Sequence, residues 1–88
     1  MKKHRIIKNT PVITRFSPRG ERGRPEMVTL EIDELEAIRL ADQEGLKHIE
    51  GALCMGISRQ TFDRTLKKAR KKIAEALLEG KIINIVSE

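Results

Sequence analysis

Tryptophan and tyrosine are absent from this 88-residue chain, and phenylalanine occurs only at Phe16 and Phe62. The core must therefore be assembled from Leu, Ile, Val, Ala and Met, a thin supply that often gains support from a partner subunit. Scarce aromatics also count against readers of single-stranded RNA, which stack bases on such rings. The single cysteine, Cys54, excludes an intrachain disulfide and fits a reducing cytosol, so a cytoplasmic location is expected. Cys54, His4 and His48 lack metal-ligand spacing, so no metal site is expected. No His is placed to activate Cys54, which is read as a packing residue. No glycine-rich phosphate loop follows a strand, so nucleotide hydrolysis has no support and no cofactor is expected. No apolar run approaches the ~20 residues of a membrane span. The basic N-terminus lacks the apolar segment of a signal peptide.

Charge is present and unevenly placed. Residues 1–25 hold eight Lys/Arg against one Glu, a net +7; residues 26–57 hold eight acids against two bases, a net −6; residues 58–88 hold eight bases against four acids, a net +4. Basic clusters attract polyanions, of which nucleic acid is the commonest soluble one. The plainer reading is that these Lys and Arg residues only solvate a surface.

All three prolines, with Gly20 and Gly23, lie in residues 1–26, and no helical period survives that spacing. Pro11–Phe16 suits a short extended segment and Ser17–Pro25 a basic loop. From Val28 the pattern changes. Asp33 and Glu36 have the form of a capping box, and Leu35, Ile38 and Ala41 recur at helical spacing up to Gly45, which predicts a helix over about 33–44. A second helix is expected over about 47–55, with Ile49, Ala52 and Leu53 as its apolar stripe and Gly51 costing it about 1 kcal/mol. Ser58 then caps a third helix over 59–79 through the amide of Thr61. Along that helix Phe62, Leu66, Ala69, Ile73 and Ala76/Leu77 step by three and four, before Gly80 ends it. Ile82, Ile83, Ile85 and Val86 form a short apolar tail with strand propensity. These segments predict a basic arm over 1–27, a domain over 28–80 and a tail over 81–88.

Two short amphipathic segments meeting at a glycine turn have the form of a helix-turn-helix over Ile49–Leu66. Its expected core is Ile49, Ala52, Gly56, Ile57, Phe62 and Leu66. The third helix then presents its first residues to a major groove. Arg59, Gln60 and Asp63 are candidates for base readout, since Arg bonds guanine, Gln adenine, and a carboxylate accepts from cytosine. Ser58, Thr61, Arg64, Lys67, Lys68 and Lys71 are candidates for phosphate, with Arg70 and Lys72 in the same basic run. Arg15, Arg19, Arg22 and Arg24 of the arm are candidates for tracking phosphates or entering a minor groove. A plain helical hairpin with a solvated basic face is the competing reading.

The run Leu30–Ile73 resembles, without gaps, the promoter-reading C-terminal domain of sigma factors. It is more similar still to a small prokaryotic family of predicted DNA-binding proteins, domain of unknown function 134, or uncharacterised protein family 0251. The residues that carry this are DELEAIRLAD from Asp33, EGL at Glu44–Leu46, MGISRQTFDR at Met55–Arg64, ARKKIAEAL at Ala69–Leu77, EGK at Glu79–Lys81 and FSPRG at Phe16–Gly20. The chain departs from that family at Gly51, where Ala is usual, at Lys47 and His48, and at Leu53 and Cys54.

The expectation is an all-α, three-helix helix-turn-helix domain of the sigma-factor-like, winged-helix-like class, with a basic arm and an extended tail. It is expected to bind double-stranded DNA as a homodimeric transcriptional regulator, without enzymatic activity. A protein-interaction module docking on RNA polymerase or a partner regulator is the alternative from another class.

Overall fold

A serine after a glycine turn, a helical stripe of apolar residues and a second glycine define the longest element. The computed structural model, which describes residues 6–7, 14–19 and 26–86, forms that helix over Arg59–Glu79 (α3). Ser58 Oγ accepts from the amide of Thr61 at its start, and Gly80 ends it in the left-handed region at φ 67°. The preceding helix, His48–Met55 (α2), ends on Gly56 at φ 68°. Gly56 and Gly80 both turn the chain through a backbone geometry that costs other residues energy. The first helix, Ile32–Ile38 (α1), runs directly into a π-helical stretch, Arg39–Gln43.

The chain is mostly helical but not purely all-α. Arg15–Phe16 (β1), Met27–Glu31 (β2) and Ile82–Val86 (β3) form a mixed sheet in the order β1-β3-β2. β3 pairs in parallel with β2, Val28 opposite Ile83 and Leu30 opposite Ile85, and antiparallel with β1. The Ile-rich segment expected as an extended tail is thus the central strand. Its strand propensity is satisfied by residues near the other end of the chain, and the whole helical unit forms the crossover that a parallel pair requires.

Two buried clusters share α3. Phe62 and Leu66 pack with Ala37, Leu40, Ala52 and Met55. One turn on, Ala69 packs with Leu30 and Ile85, flanked by Ile73 and Ile83. Ile38 touches both clusters. Each fully buried Leu, Ile or Phe contributes about 1.5–3 kcal/mol, so helices and sheet support one another through the same helix.

Two local expectations are corrected. The start of α1 is set by Glu31, whose amide donates to Glu34 Oε1 at 2.9 Å, rather than by Asp33 and Glu36. β2 delivers the chain to Glu31 in extended conformation, which moves the cap two residues earlier. Glu36 instead accepts two hydrogen bonds from the Arg39 guanidinium, at 2.8 and 2.9 Å. On α2, Ile49 is 57% and Leu53 75% exposed, whereas Gly51, Ala52 and Met55 are buried. The helix is turned so that Gly51 lies against the Phe62 ring, where a Cβ would meet Cζ at 2.5 Å. Ile49 therefore does not belong to the core. Gly51, which costs helix propensity, supplies the close approach between α2 and α3.

Candidate nucleic-acid interface

The inward residues of α3 dictate what its other faces present. With Phe62, Leu66 and Ala69 buried, a 3.6-residue period places Gln60, Arg64, Lys67, Lys68 and Lys71 on the side away from the core. All five are exposed. Arg64, Lys67 and Lys68 form no ion pair with any described residue.

The flanks of the helix are used differently. Arg70 reaches Asp42 on the π-helical stretch, with Nη2–Oδ1 at 2.6 Å and Nε–Oδ2 at 3.2 Å. That hydrogen-bonded pairing holds the Asp42 carboxyl below its ordinary value and raises Arg70 above its own. Lys72 donates to Glu34 Oε1 at 2.8 Å. Glu34 is buried on α1, with its side chain 5% exposed. Lys81 gathers Glu75, Glu79 and Glu26; its hydrogen bond to Glu75 raises the lysine and lowers the carboxyl. The continuous basic run in sequence is thereby split in space: Arg70 and Lys72 brace α3 to α1 and its extension, and the remaining cations face outward.

At the N-terminal end of α3, Ser58 and Arg59 are exposed and Thr61 is half-buried. The Ser58 hydroxyl donates to Thr61 Oγ1 at 2.9 Å while its oxygen caps the helix. Asp63 is already engaged on both oxygens. Oδ1 lies 2.7 Å from His48 Nδ1, and Oδ2 accepts from Arg59 Nη1 at 3.3 Å. The His48 ring also leans on Phe62, centroid to centroid 5.6 Å. Of the three residues considered for base readout, Gln60 is unencumbered and Arg59 is tethered by the third.

The helix-turn-helix residues divide by burial. Ala52, Phe62 and Leu66 are buried, Ile57 is half-buried against them, and Gly56 is exposed at the turn. Ile6 reaches that turn, its amide donating to the Met55 carbonyl at 3.1 Å, and Ile7 packs on the first cluster. Arg15 is exposed on β1, opposite Asn84, and Arg19 is exposed beyond it. Arg22 and Arg24 lie outside the described residues. Among the described residues, no group of His, Cys, Asp and Glu is placed to hold a metal ion. No helix there is long and apolar enough to cross a membrane.

Sequence reasoning missed His48, Asp42 and Glu34 as partners of α3. No signal in the sequence marks them, because each contact joins residues that are distant along the chain and carry no special spacing.

The chain is 49% identical over 82 residues to a UPF0251 protein of Chlorobaculum tepidum, covering 92% of this chain and 54% of that one. It is 52% identical over 81 residues to one of Caldicellulosiruptor saccharolyticus, covering 92% and 57%. With one of Methanosarcina acetivorans it shares 49% over 82 residues, covering 92% and 73%. The chain spans about half the length of the first two relatives. No solved structure matches it. The model of the family described as "Protein of unknown function DUF134" matches residues 1–87, and the chain belongs to that family.

Proposed function

We propose that the chain binds double-stranded DNA, with α2 and α3 acting as a helix-turn-helix and α3 entering the major groove. The observation that carries this reading is the division of labour along α3. Arg59, Arg70 and Lys72 are paired with acids of the same domain, while Arg64, Lys67, Lys68 and Lys71 form an exposed row beside Gln60. A row of cations along a capped helix suits phosphate contacts that fix register, with base contacts from its first turns. Arg59 and Gln60 are the base readers in this reading. Ser58 and Thr61 approach the backbone at the helix start. Arg15 on β1 and Arg19 beyond it, both exposed, are further phosphate contacts in this reading.

The finer picture is a sigma-factor-like, winged-helix-like reader that works in the cytoplasm as a transcriptional regulator, a non-enzymatic homodimer on a palindromic site. A second reading, docking on RNA polymerase or a partner regulator, is favoured by Leu77 and Leu78, which are 75% and 85% exposed at the end of α3.

Titration of random duplex DNA at several salt concentrations tests the first reading. Four phosphate contacts by Arg64, Lys67, Lys68 and Lys71 predict a slope of log K against log salt of about −3.6 for each chain bound, at about −0.9 per contact. Absence of binding at low salt overturns the proposal. Retained binding of a polymerase subunit in that case supports the second reading.

A further inference from the structure

We infer that His48 is a positioning residue for base recognition: it fixes Asp63, and Asp63 in turn holds Arg59. The inference rests on the DNA-binding reading and adds to it a residue that need not touch DNA.

The geometry forms a continuous chain from core to surface. Phe62 is fully buried, and Gly51 presses on its ring from α2. The His48 ring sits against the same phenylalanine at a 55° tilt. This contact and its place in the first turn of α2 aim the His48 ring at Asp63. A carboxylate only accepts, so the 2.7 Å contact requires the proton on His48 Nδ1. That bond takes up Asp63 Oδ1 and turns Oδ2 toward Arg59 Nη1.

The Arg59–Asp63 pair is exposed, and such a pair adds little to stability. Its consequence is orientational. An arginine side chain has many rotamers, and bidentate bonding to guanine needs one guanidinium plane. A carboxylate four residues on, itself anchored from another helix, restricts that choice before DNA arrives. Without His48, Asp63 can rotate about its own side chain, and Arg59 loses a fixed anchor while keeping its charge.

The test uses selection from random duplexes with the full chain, followed by affinities for the selected and scrambled duplexes. Arg59→Ala identifies the base position that Arg59 reads. His48→Ala is expected to lose preference at that same position, lowering discrimination about tenfold, the order of one well-made base contact. The salt slope should stay unchanged. His48→Asn, whose side-chain amide can donate from nearly the position of Nδ1, is expected to restore the preference. If His48→Ala keeps the preference, the inference is overturned while the DNA-binding reading stands. A uniform loss of affinity for all duplexes, in step with thermal stability, marks a merely structural role and also overturns it. If the wild-type chain binds no duplex, both readings fall together.

Discussion

Gly51 faces the ring of Phe62 so closely that a Cβ on it would stand 2.5 Å from Cζ and 2.7 Å from Cε1. The glycine that weakens α2 as an isolated helix is thus what lets α2 lie against α3. Gly51→Ala gains about 1 kcal/mol of helix propensity and incurs about 1–3 kcal/mol of overpacking, because the fully buried Phe62 ring must shift to admit the methyl. We expect a net loss of about 1 kcal/mol in urea unfolding. The substitution should turn neutral or stabilising when combined with Phe62→Leu, where the added methyl fills vacated space. A single Gly51→Ala variant more stable than wild type contradicts the packing described.

The cations of α3 should separate into two classes by experiment. Lys67→Ala or Lys71→Ala is expected to lower the salt slope of duplex binding by about one and to change stability by less than about 0.5 kcal/mol. Lys72→Met leaves the buried Glu34 carboxylate without its ammonium partner, at an expected cost of about 1–3 kcal/mol in unfolding, with the slope unchanged. Arg70→Met should likewise leave the slope unchanged, because Arg70 is bound to Asp42. A slope that falls equally in all four variants shows that the run acts as one undivided patch.

Asp42 gives that brace a pH dependence. The hydrogen bonds from Arg70 hold its carboxyl below the ordinary value in the folded chain. A group depressed in this way binds its proton more readily when unfolded, so it contributes stability above its unfolded value. That contribution is lost as pH falls through the folded one. The difference in thermal midpoint between wild type and Asp42→Asn should be largest at neutral pH and should close as the pH falls below the ordinary aspartate range. A difference that widens with acidification reverses the sign and contradicts the pairing.

What was legible in the sequence was what neighbouring residues decide. Ser58, Thr61 and Gly80 mark the ends of α3 because capping and helix termination act within one turn. The sheet was not legible, since Met27–Glu31 and Ile82–Val86 pair across the whole helical unit. Only the strand propensity of the second of these segments shows locally. Helix phase on α2 is hidden in the sequence for a related reason. Gly51 has no side chain to count as apolar, so Ile49 and Leu53 stood out as the stripe although Ala52 and Met55 are what the core receives. The division of the basic run rests on Asp42 and Glu34, acids that look like ordinary helix-surface residues until α1 is folded against α3. His48 shows the same limit at the site itself, since only the crossing of α2 and α3 brings it to Asp63.

Ile85 and Leu78 offer the sharpest contrast in apolar roles. Ile85 is 7% exposed between Leu30 and Ala69, in the strand that sequence pattern alone leaves as a tail. Ile85→Ala should cost about 2–4 kcal/mol in unfolding, as deletions in a closed core do. Leu78, near the C-terminal end of α3, is almost fully exposed, and Leu78→Ser should alter monomer stability by less than about 0.5 kcal/mol. If the chain dimerises through the end of α3, the same serine should shift the light-scattering mass toward that of one chain without lowering the unfolding midpoint measured at high dilution. A large stability loss in Leu78→Ser at all concentrations places that leucine inside the monomer fold, and an Ile85→Ala variant as stable as wild type removes β3 from the core.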